Sequence, residues 1–421
     1  MASRVKKIET LQGLDVRDAA VPSVVEASLG DDPELGLLAL TVGIRHTEFR
    51  RRSTPALVDK FAVRLGAAAS RLIDGLPQTG RLDPEVGGRL FAARGNALRL
   101  AGPDHDAEAT AAFEAALGLD RRRGRWWFDL GLHHKALARF EEALEATKQA
   151  RVTMPEDRGV LWNIAIAATA LGHGEEALEA WTALGVPIVS SPGGLPMTPS
   201  PMPAARLRVL TIGSGHADPT TDALVPDEAA GFEVLSVQPI SPCHGVVSSP
   251  SFRRAAVDYG DVVLFDGDPV AITTIDGQRV PTFPLLARLH EGDERRLRFL
   301  ALEQNTGDLV ALGESLPEGA RLFVQLEHVE SVCSRCASGE VLTKHEHTPP
   351  EEHRLVYGKI IVEAQVDLSA VESTIASAVR STGRLQLSVP ELYEALGDSR
   401  RAGQEHQAWR GLERVALRRQ G

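Results

Sequence analysis

Four residues in the C-terminal half of the chain are spaced for metal chemistry. In the stretch VCSRCASGEVLTKHEH, Cys333 and Cys336 form a C-x-x-C pair, and His345 and His347 follow two residues apart. A C-x-x-C pair offers two thiolates from one tight turn, which Gly339 eases. In an extended strand, alternate side chains share a face, so both imidazoles point the same way. Cys333, Cys336, His345 and His347 then make a tetrahedral S2N2 set, the donor combination that favours zinc. His353 can replace either histidine, and the Cys243-His244 pair can be brought in by the fold. The alternative is a plain turn with two free thiols, since a zinc ribbon pairs two C-x-x-C knuckles and this chain has one. Thioredoxin-like redox chemistry is disfavoured, because Ala337-Ser338-Gly339 is a poor start for the helix that chemistry needs.

Other groupings are weaker. Cys243 and His244 lie adjacent in ISPCHG, but neighbours in sequence rarely face each other as nucleophile and base, so a loop cysteine is expected. Asp258, Asp261, Asp266 and Asp268 offer oxygen ligands for a hard cation. Two of them flank a turn, and solvated turn carboxylates are the expected reading. Gly213-Ser214-Gly215 follows a strand-like run, but HADPTTDALVPDE is turn-like and supplies no helix to receive a phosphate. No complete catalytic motif emerges, and the reading leans away from an enzyme.

These residues need elements to position them. Short β-branched runs bounded by turn residues predict strands at 206–213, 232–237 and 261–265, with further strands at 297–302, 321–326 and 355–362. Asp266-Gly267 and Asp276-Gly277 are dipeptides that suit tight hairpin turns. Amphipathic helix is expected at 368–380 and again after Pro390. The region 206–421 therefore reads as a β-rich α+β domain with helices towards its end. Ahead of it, VSSPGGLPMTPSPMPAAR at 188–205 cannot be helical, because proline fixes φ and removes a donor, and it reads as a linker. Residues 34–187 read as helices, with apolar residues at helical spacing and sparse proline. Residues 1–33 form an N-terminal segment.

Within the helical part a shared offset appears. Trp127 lies 34 residues before Leu161, Leu130 before Ile164, Ala143 before Ala177, and Thr147 before Trp181. The segment RWWFDLGLHHKALARFEEALEATKQARVTMPED resembles the tetratricopeptide (TPR) family. Trp127, Leu130 and Gly131 match its first-helix pattern, and Ala143, Ala150 and Pro155 match its second-helix alanines and closing proline. Residues 158–187 repeat the pattern with Ala165 at the glycine position. Upstream, Gly95, Ala109, Phe113 and Ala116 repeat it with about two extra residues at GPDHD, so the resemblance covers about 87–187. It implies helix pairs that cannot bury their apolar faces singly and stack to share a core. It further implies that the first helices line a binding face. By the family register Arg125, Phe128, Leu132 and Lys135 point to that face, with Asn96 and Arg99 before them and Trp162 and Ile166 after. Apolar residues flanked by Arg and Lys suit a peptide or helix with apolar anchors and acidic flanks. The alternative is that the protein's own helices or C-terminal domain fill the face.

Bulk properties limit the function. A chain of 421 residues is too long for one ordinary core. Its net charge of -11 argues against a general nucleic-acid or anionic-membrane binder. No apolar run is long enough to span a bilayer, no signal-peptide pattern opens the chain, and three cysteines fit a reducing, cytoplasmic setting, while the richness in Ala, Arg and Gly points to a GC-rich bacterial genome. The expected architecture is multidomain, an N-terminal α-solenoid of TPR-like helix pairs followed by a β-rich α+β domain. The expected function is a protein–protein interaction scaffold with a protein or peptide partner and a zinc-stabilised C-terminal domain. The alternative is a metal-dependent enzyme whose repeats recruit a protein substrate.

Overall fold

The structure is a computed structural model. It describes all residues except 1, 54–58, 77–82, 192–193, 212–231, 254, 306, 326–329, 332–353 and 418–421. The described chain divides into two compact units. The first comprises Met1–Ala205, Pro239–Gly245 and Leu264–Ala287, and the second Arg206–Gln238, Val246–Val263 and Arg288–Gly421. The stretch 188–205 lies within the first unit, and two later segments, Pro239–Gly245 and Leu264–Ala287, belong to that unit rather than to the rest of 206–421. No helix among the described residues is long and apolar enough to cross a membrane.

The first unit begins with α1 (Ala2–Gln12), α2 (Val21–Ser28), α3 (Pro33–Ser53) and α4 (Lys60–Asp74). Three helix pairs follow: α5 (Pro84–Ala101) with α6 (Asp106–Leu119), α7 (Gly124–Ala136) with α8 (Phe140–Thr153), and α9 (Arg158–Ala170) with α10 (Gly174–Ala183). Each pair is in contact internally, and the first helices also touch in succession, α5 on α7 and α7 on α9. Aspartates set several starts by accepting main-chain N–H groups of the first turn: Asp59 for α4, Asp83 ahead of Pro84 for α5, and Asp157 for α9. The turns inside the second and third pairs share a left-handed residue at the same repeat position, Ala138 (φ 55°) and Gly172 (φ 70°).

The small residues of the repeat have direct structural causes. A Cβ on Gly131 would lie 2.5 Å from Thr147 Oγ1, so α7 and α8 meet at near backbone contact. A Cβ on Gly88 would lie 2.0 Å from the Trp126 ring, which is buried between neighbouring pairs. Trp126 and Trp127 divide the expected tryptophan role: Trp126 is buried, while Trp127 is half-buried and donates its indole N–H to the Arg121 carbonyl at 2.8 Å. Their cluster also holds Phe113, Leu130 and Ala146. The stretch read as a linker carries a two-strand hairpin, β1 (Val189–Ser190) with β2 (Pro196–Met197), and Thr198 N–H donates to the Ile240 carbonyl at 2.9 Å.

Strands β3 (Ala205–Leu210), β4 (Phe232–Pro239), β5 (His244–Val247), β6 (Val262–Phe265), β7 (Ala271–Ile275) and β8 (Gln278–His290) form one sheet in the order β3-β4-β5-β6-β8-β7, with β3 also paired to β8. Asp276-Gly277 makes the β7–β8 hairpin turn with positive φ at both residues, 48° and 78°. Asp266-Gly267 does not turn a hairpin. It carries the chain onward from β6, and the Asp266 carboxylate is drawn to a lysine described below.

The second unit contains β9 (Arg295–Glu303), α11 (Asp308–Ser315), β10 (Ala320–Val324), β11 (Glu330–Ser331), β12 (Arg354–Val362), α12 (Leu368–Thr382), β13 (Gln386–Ser388), α13 (Pro390–Ala395) and α14 (Ser399–Leu417). Its sheet runs β10-β12-β9-β13, with β11 on β12. One core packs Phe299, Val356 and Ile360 of this sheet against Leu309, Leu312, Val371 and Ile375 of the helices. Glu303 is buried at the end of β9, ion-paired with Arg354, and accepts the Gly307 and Leu309 N–H groups that open α11. Of the four aspartates expected as solvated turn carboxylates Asp268 is exposed, whereas Asp261 and Asp258 are built into this unit. Asp261 is fully buried, receives Arg296 Nη2 at 2.9 Å and lies 3.6 Å from Arg288, while Asp258 pairs with Lys359 Nζ at 2.6 Å. Their oxygens are spent on cations of the same unit, because an unpaired buried carboxylate is costly.

Candidate partner-binding face

The first helices α5, α7 and α9, together with α3, present the face on which the repeat register places binding residues. Its two ends differ. At the α7–α9 end the face is occupied by the chain itself. Lys135 is only 4% exposed, and its ammonium donates to Asp266 Oδ2 and to Asn163 Oδ1, each at 2.7 Å. Trp162 is half-buried, packs edge-on against Trp181 with centroids 4.9 Å apart, and bears on Gly267, where a Cβ would lie 2.3 Å from its ring. Gly267 is small because the segment after β6 lies directly on the indole. Of the two occupants weighed for this face, a partner or the chain's own later residues, the second is found at this end.

Beside this contact lies a buried polar cluster. The Ser241 hydroxyl is 2.6 Å from His244 Nδ1 and 3.7 Å from Cys243 Sγ, and all three residues are buried. Burial pushes the Cys243 thiol up to about 12, the opposite of an activated nucleophile, and holds His244 down at about 4, so the imidazole is neutral. The adjacent Cys–His pair is therefore inactive core rather than an exposed loop cysteine.

At the α3–α5–α7 end the face is open. A pocket of about 410 Å³ is walled by the apolar side chains of Leu37, Ile44, Ala92 and Trp126. Its polar lining forms a chain of contacts. Arg99 pairs with Glu48, and its Nε donates to Asn96 Oδ1 at 2.8 Å. Asn96 Nδ2 donates in turn to Asp129 Oδ2 at 3.1 Å. Asp129 Oδ1 lies 3.1 Å from Arg125 Nε, within ion-pair distance but not aligned as a hydrogen bond, and among the described residues it accepts no hydrogen bond. Asp129 is 4% exposed, and burial raises its carboxyl above the usual range against the opposing pull of Arg125 and Arg99. Arg125 is itself exposed and stacks its guanidinium over the Phe128 ring, 4.9 Å from the centroid.

The expected binding residues thus fall into two sets. Arg99 and Arg125 join the network of the open pocket, with Phe128 beneath Arg125. Lys135 and Trp162 meet the chain's own Asp266-Gly267. Leu132 is half-buried between the two sets in sequence. Three members were not foreseen: Asp129, Asn163 and Asp266. The first two had a signal, since they stand 34 residues apart in the repeat, like Phe128 and Trp162. Asp266 had none, because its partner is 131 residues away. Cys333, Cys336, His345, His347 and His353 lie outside the described residues. Among the described residues, no group of three or more His, Cys, Asp or Glu side chains converges as a metal site.

A scan against protein-family models finds no match, and a search of curated proteins finds none. Among solved structures the chain is similar to MamA of AMB-1, at 18% identity and a TM-score of 0.30, over 44% of this chain and 88% of that one. A second crystal form of the same protein gives the same identity and TM-score over 95% of its length. A mutant form of MamA gives 19% identity and a TM-score of 0.29, over 44% of this chain and 94% of that one.

Proposed function

We propose that the chain is a protein–protein interaction scaffold whose helix pairs act as an α-solenoid of TPR type and grip extended protein segments along the face of their first helices. One observation carries this reading: Lys135, Asn163 and Trp162 already hold such a segment, the Asp266-Gly267 stretch of the same unit, next to a pocket that the chain leaves open. A surface able to hold one extended segment by a buried ion pair and an aromatic shelf has the chemistry to hold another.

In the same reading the second unit is a β-rich α+β domain that offers a separate surface. Its zinc would be held by Cys333, Cys336, His345 and His347, and a cytoplasmic setting would keep those thiols reduced. The scaffold reading is tested at the pocket. Thr41 lines it and is exposed, so Thr41→Trp fills the space without disturbing a core. Quantitative affinity purification of the intact chain should lose a defined set of partners in this variant. An unchanged set would refute a role for the pocket in partner binding.

A further inference from the structure

The pocket's charges are unevenly spent. Glu48 is taken by Arg99, and Asp129 by Asn96 and Arg125. Arg45 and Arg89 also line the pocket and are exposed, and among the described residues neither has an ion-pair or hydrogen-bond partner. In a chain of net charge -11 this leaves a local excess of guanidinium over carboxylate. Asp129, almost fully buried, keeps its Oδ1 shielded from solvent and facing Arg125 Nε at 3.1 Å, so the floor itself offers no free charge. Two unpaired guanidiniums call for an anion, which they can take in bidentate fashion.

The neighbouring end of the face shows what such chemistry holds. The register places Arg99 where Lys135 stands in the next repeat, and Asp129 where Asn163 stands. At that next position an aspartate from an extended segment, Asp266, is already seated on Lys135 and Asn163. An aspartate-bearing segment is therefore a ligand this face demonstrably accommodates.

We propose that the open pocket receives an acidic, extended segment of a partner protein, with a side-chain carboxylate between Arg45 and Arg89. This rests on the scaffold reading and narrows it to one partner chemistry. The apolar walls of Leu37, Ile44 and Trp126 accept a short apolar neighbour of the acidic residue. A basic segment is rejected, because it would bring like charge against Arg45 and Arg89.

The test is a displayed library of random heptapeptides, selected on the intact chain with counter-selection on Thr41→Trp. Peptides enriched on the wild type should carry Asp or Glu. As synthetic fluorescent peptides they should lose at least about tenfold in affinity for Arg45→Glu/Arg89→Glu, the scale of one lost charge-assisted contact. Replacing their acidic residue by its amide should cost about the same. Circular dichroism of the double variant shows whether it is folded, which both exposed positions favour. Enriched peptides that are basic or neutral and still depend on the pocket would overturn the acidic assignment and leave the scaffold reading standing. No enrichment over Thr41→Trp would overturn both. Acidic peptides that bind Arg45→Glu/Arg89→Glu as tightly as the wild type would overturn the placement of the anion.

Discussion

Replacing Asp266 by Ala should destabilise the first unit by about 3 kcal/mol, at the low end of the range for breaking a buried ion pair. Lys135 is 4% exposed, so its ammonium cannot turn to water when Asp266 is lost, and it keeps only Asn163 Oδ1 at 2.7 Å. The Asp266 side chain retains 20% of its exposure, so water entering the vacated site offsets part of the cost and favours the low end. For a domain of 150–250 residues each kcal/mol shifts the midpoint by about 2–4 °C, so the helix signal at 222 nm should melt roughly 6–12 °C lower. The double replacement Lys135→Met/Asp266→Leu removes both charges and should recover most of that loss, because a buried pair costs nearly as much desolvation as it returns in attraction. Urea unfolding of wild type, Asp266→Ala, Lys135→Met and the double variant gives the coupling energy directly. A cost for Asp266→Ala below about 0.5 kcal/mol is the value of an exposed pair. It would mean that the Asp266-Gly267 segment is not seated on the helices, and the argument from that contact would fail.

Acid should weaken the same unit. Burial holds His133 and His244 down at about 4, against an ordinary value near 6.5, so their contribution is complete above pH 6.5 and is lost as pH falls from 6.5 to about 4. Each histidine contributes a slope of up to about 1.4 kcal/mol per pH unit in that window, and urea midpoints at pH 7.5 and 5.0 should converge in His133→Gln/His244→Gln relative to wild type. Gly88→Ala should cost about 1–3 kcal/mol, because the new Cβ would strike the Trp126 ring at 2.0 Å. Gly118→Ala, with nothing within 4 Å, should gain about 0.5–1 kcal/mol, and calorimetry of the two separates close packing from helix propensity. Ala138→Gly should raise the melting temperature slightly. Relief of about 1 kcal/mol at φ 55° exceeds the extra chain entropy of glycine, and a lower melting temperature would refute strain at that turn. Protein purified without chelator should contain one zinc per chain by elemental analysis, and Cys333→Ser should lose it; a zinc-free, folded wild type would reduce the motif to a turn with two thiols.

The helix pairs were legible because their constraint is local and periodic. Small residues recur in each pair, Gly95, Gly131 and Ala165 in the first helices and Ala109, Ala143 and Ala177 in the second, and the close α7–α8 approach that demands Gly131 and Ala143 lies within one unit of about 30 residues. Strands were legible for the same reason. The runs at 297–302 and 355–362 correspond to β9 and β12, with ends shifted by at most two residues where charged residues such as Arg295 and Arg354 extend the pairing. Helices α1 and α2 were not assigned within residues 1–33. ASRVKKIETLQ is polar on most of its circumference, and its place is fixed by a core supplied from elsewhere, where Leu11 packs with Val25 and Leu40. Asp266-Gly267 misled for a physical reason. The dipeptide suits a tight turn, but the pull of Lys135, which has no other carboxylate partner among the described residues, decides its conformation from 131 residues away.

The contrast between the two ends of the face follows from one register position. Where the repeat carries Asn163, the amide is neutral and can only share Lys135, so the ammonium still lacks a counter-charge and Asp266 of the chain supplies it. One repeat earlier the same position carries Asp129. That carboxylate brings its own charge into the face, takes Arg125 and Asn96, and leaves Arg99 to Glu48. No cation is then left on the floor to recruit a second segment of the chain, so this end stays open. The positive excess moves outward to Arg45 and Arg89, where it is hydrated and accessible. A single amide-to-acid difference in the repeat thus separates a site satisfied from within from one that the chain leaves open.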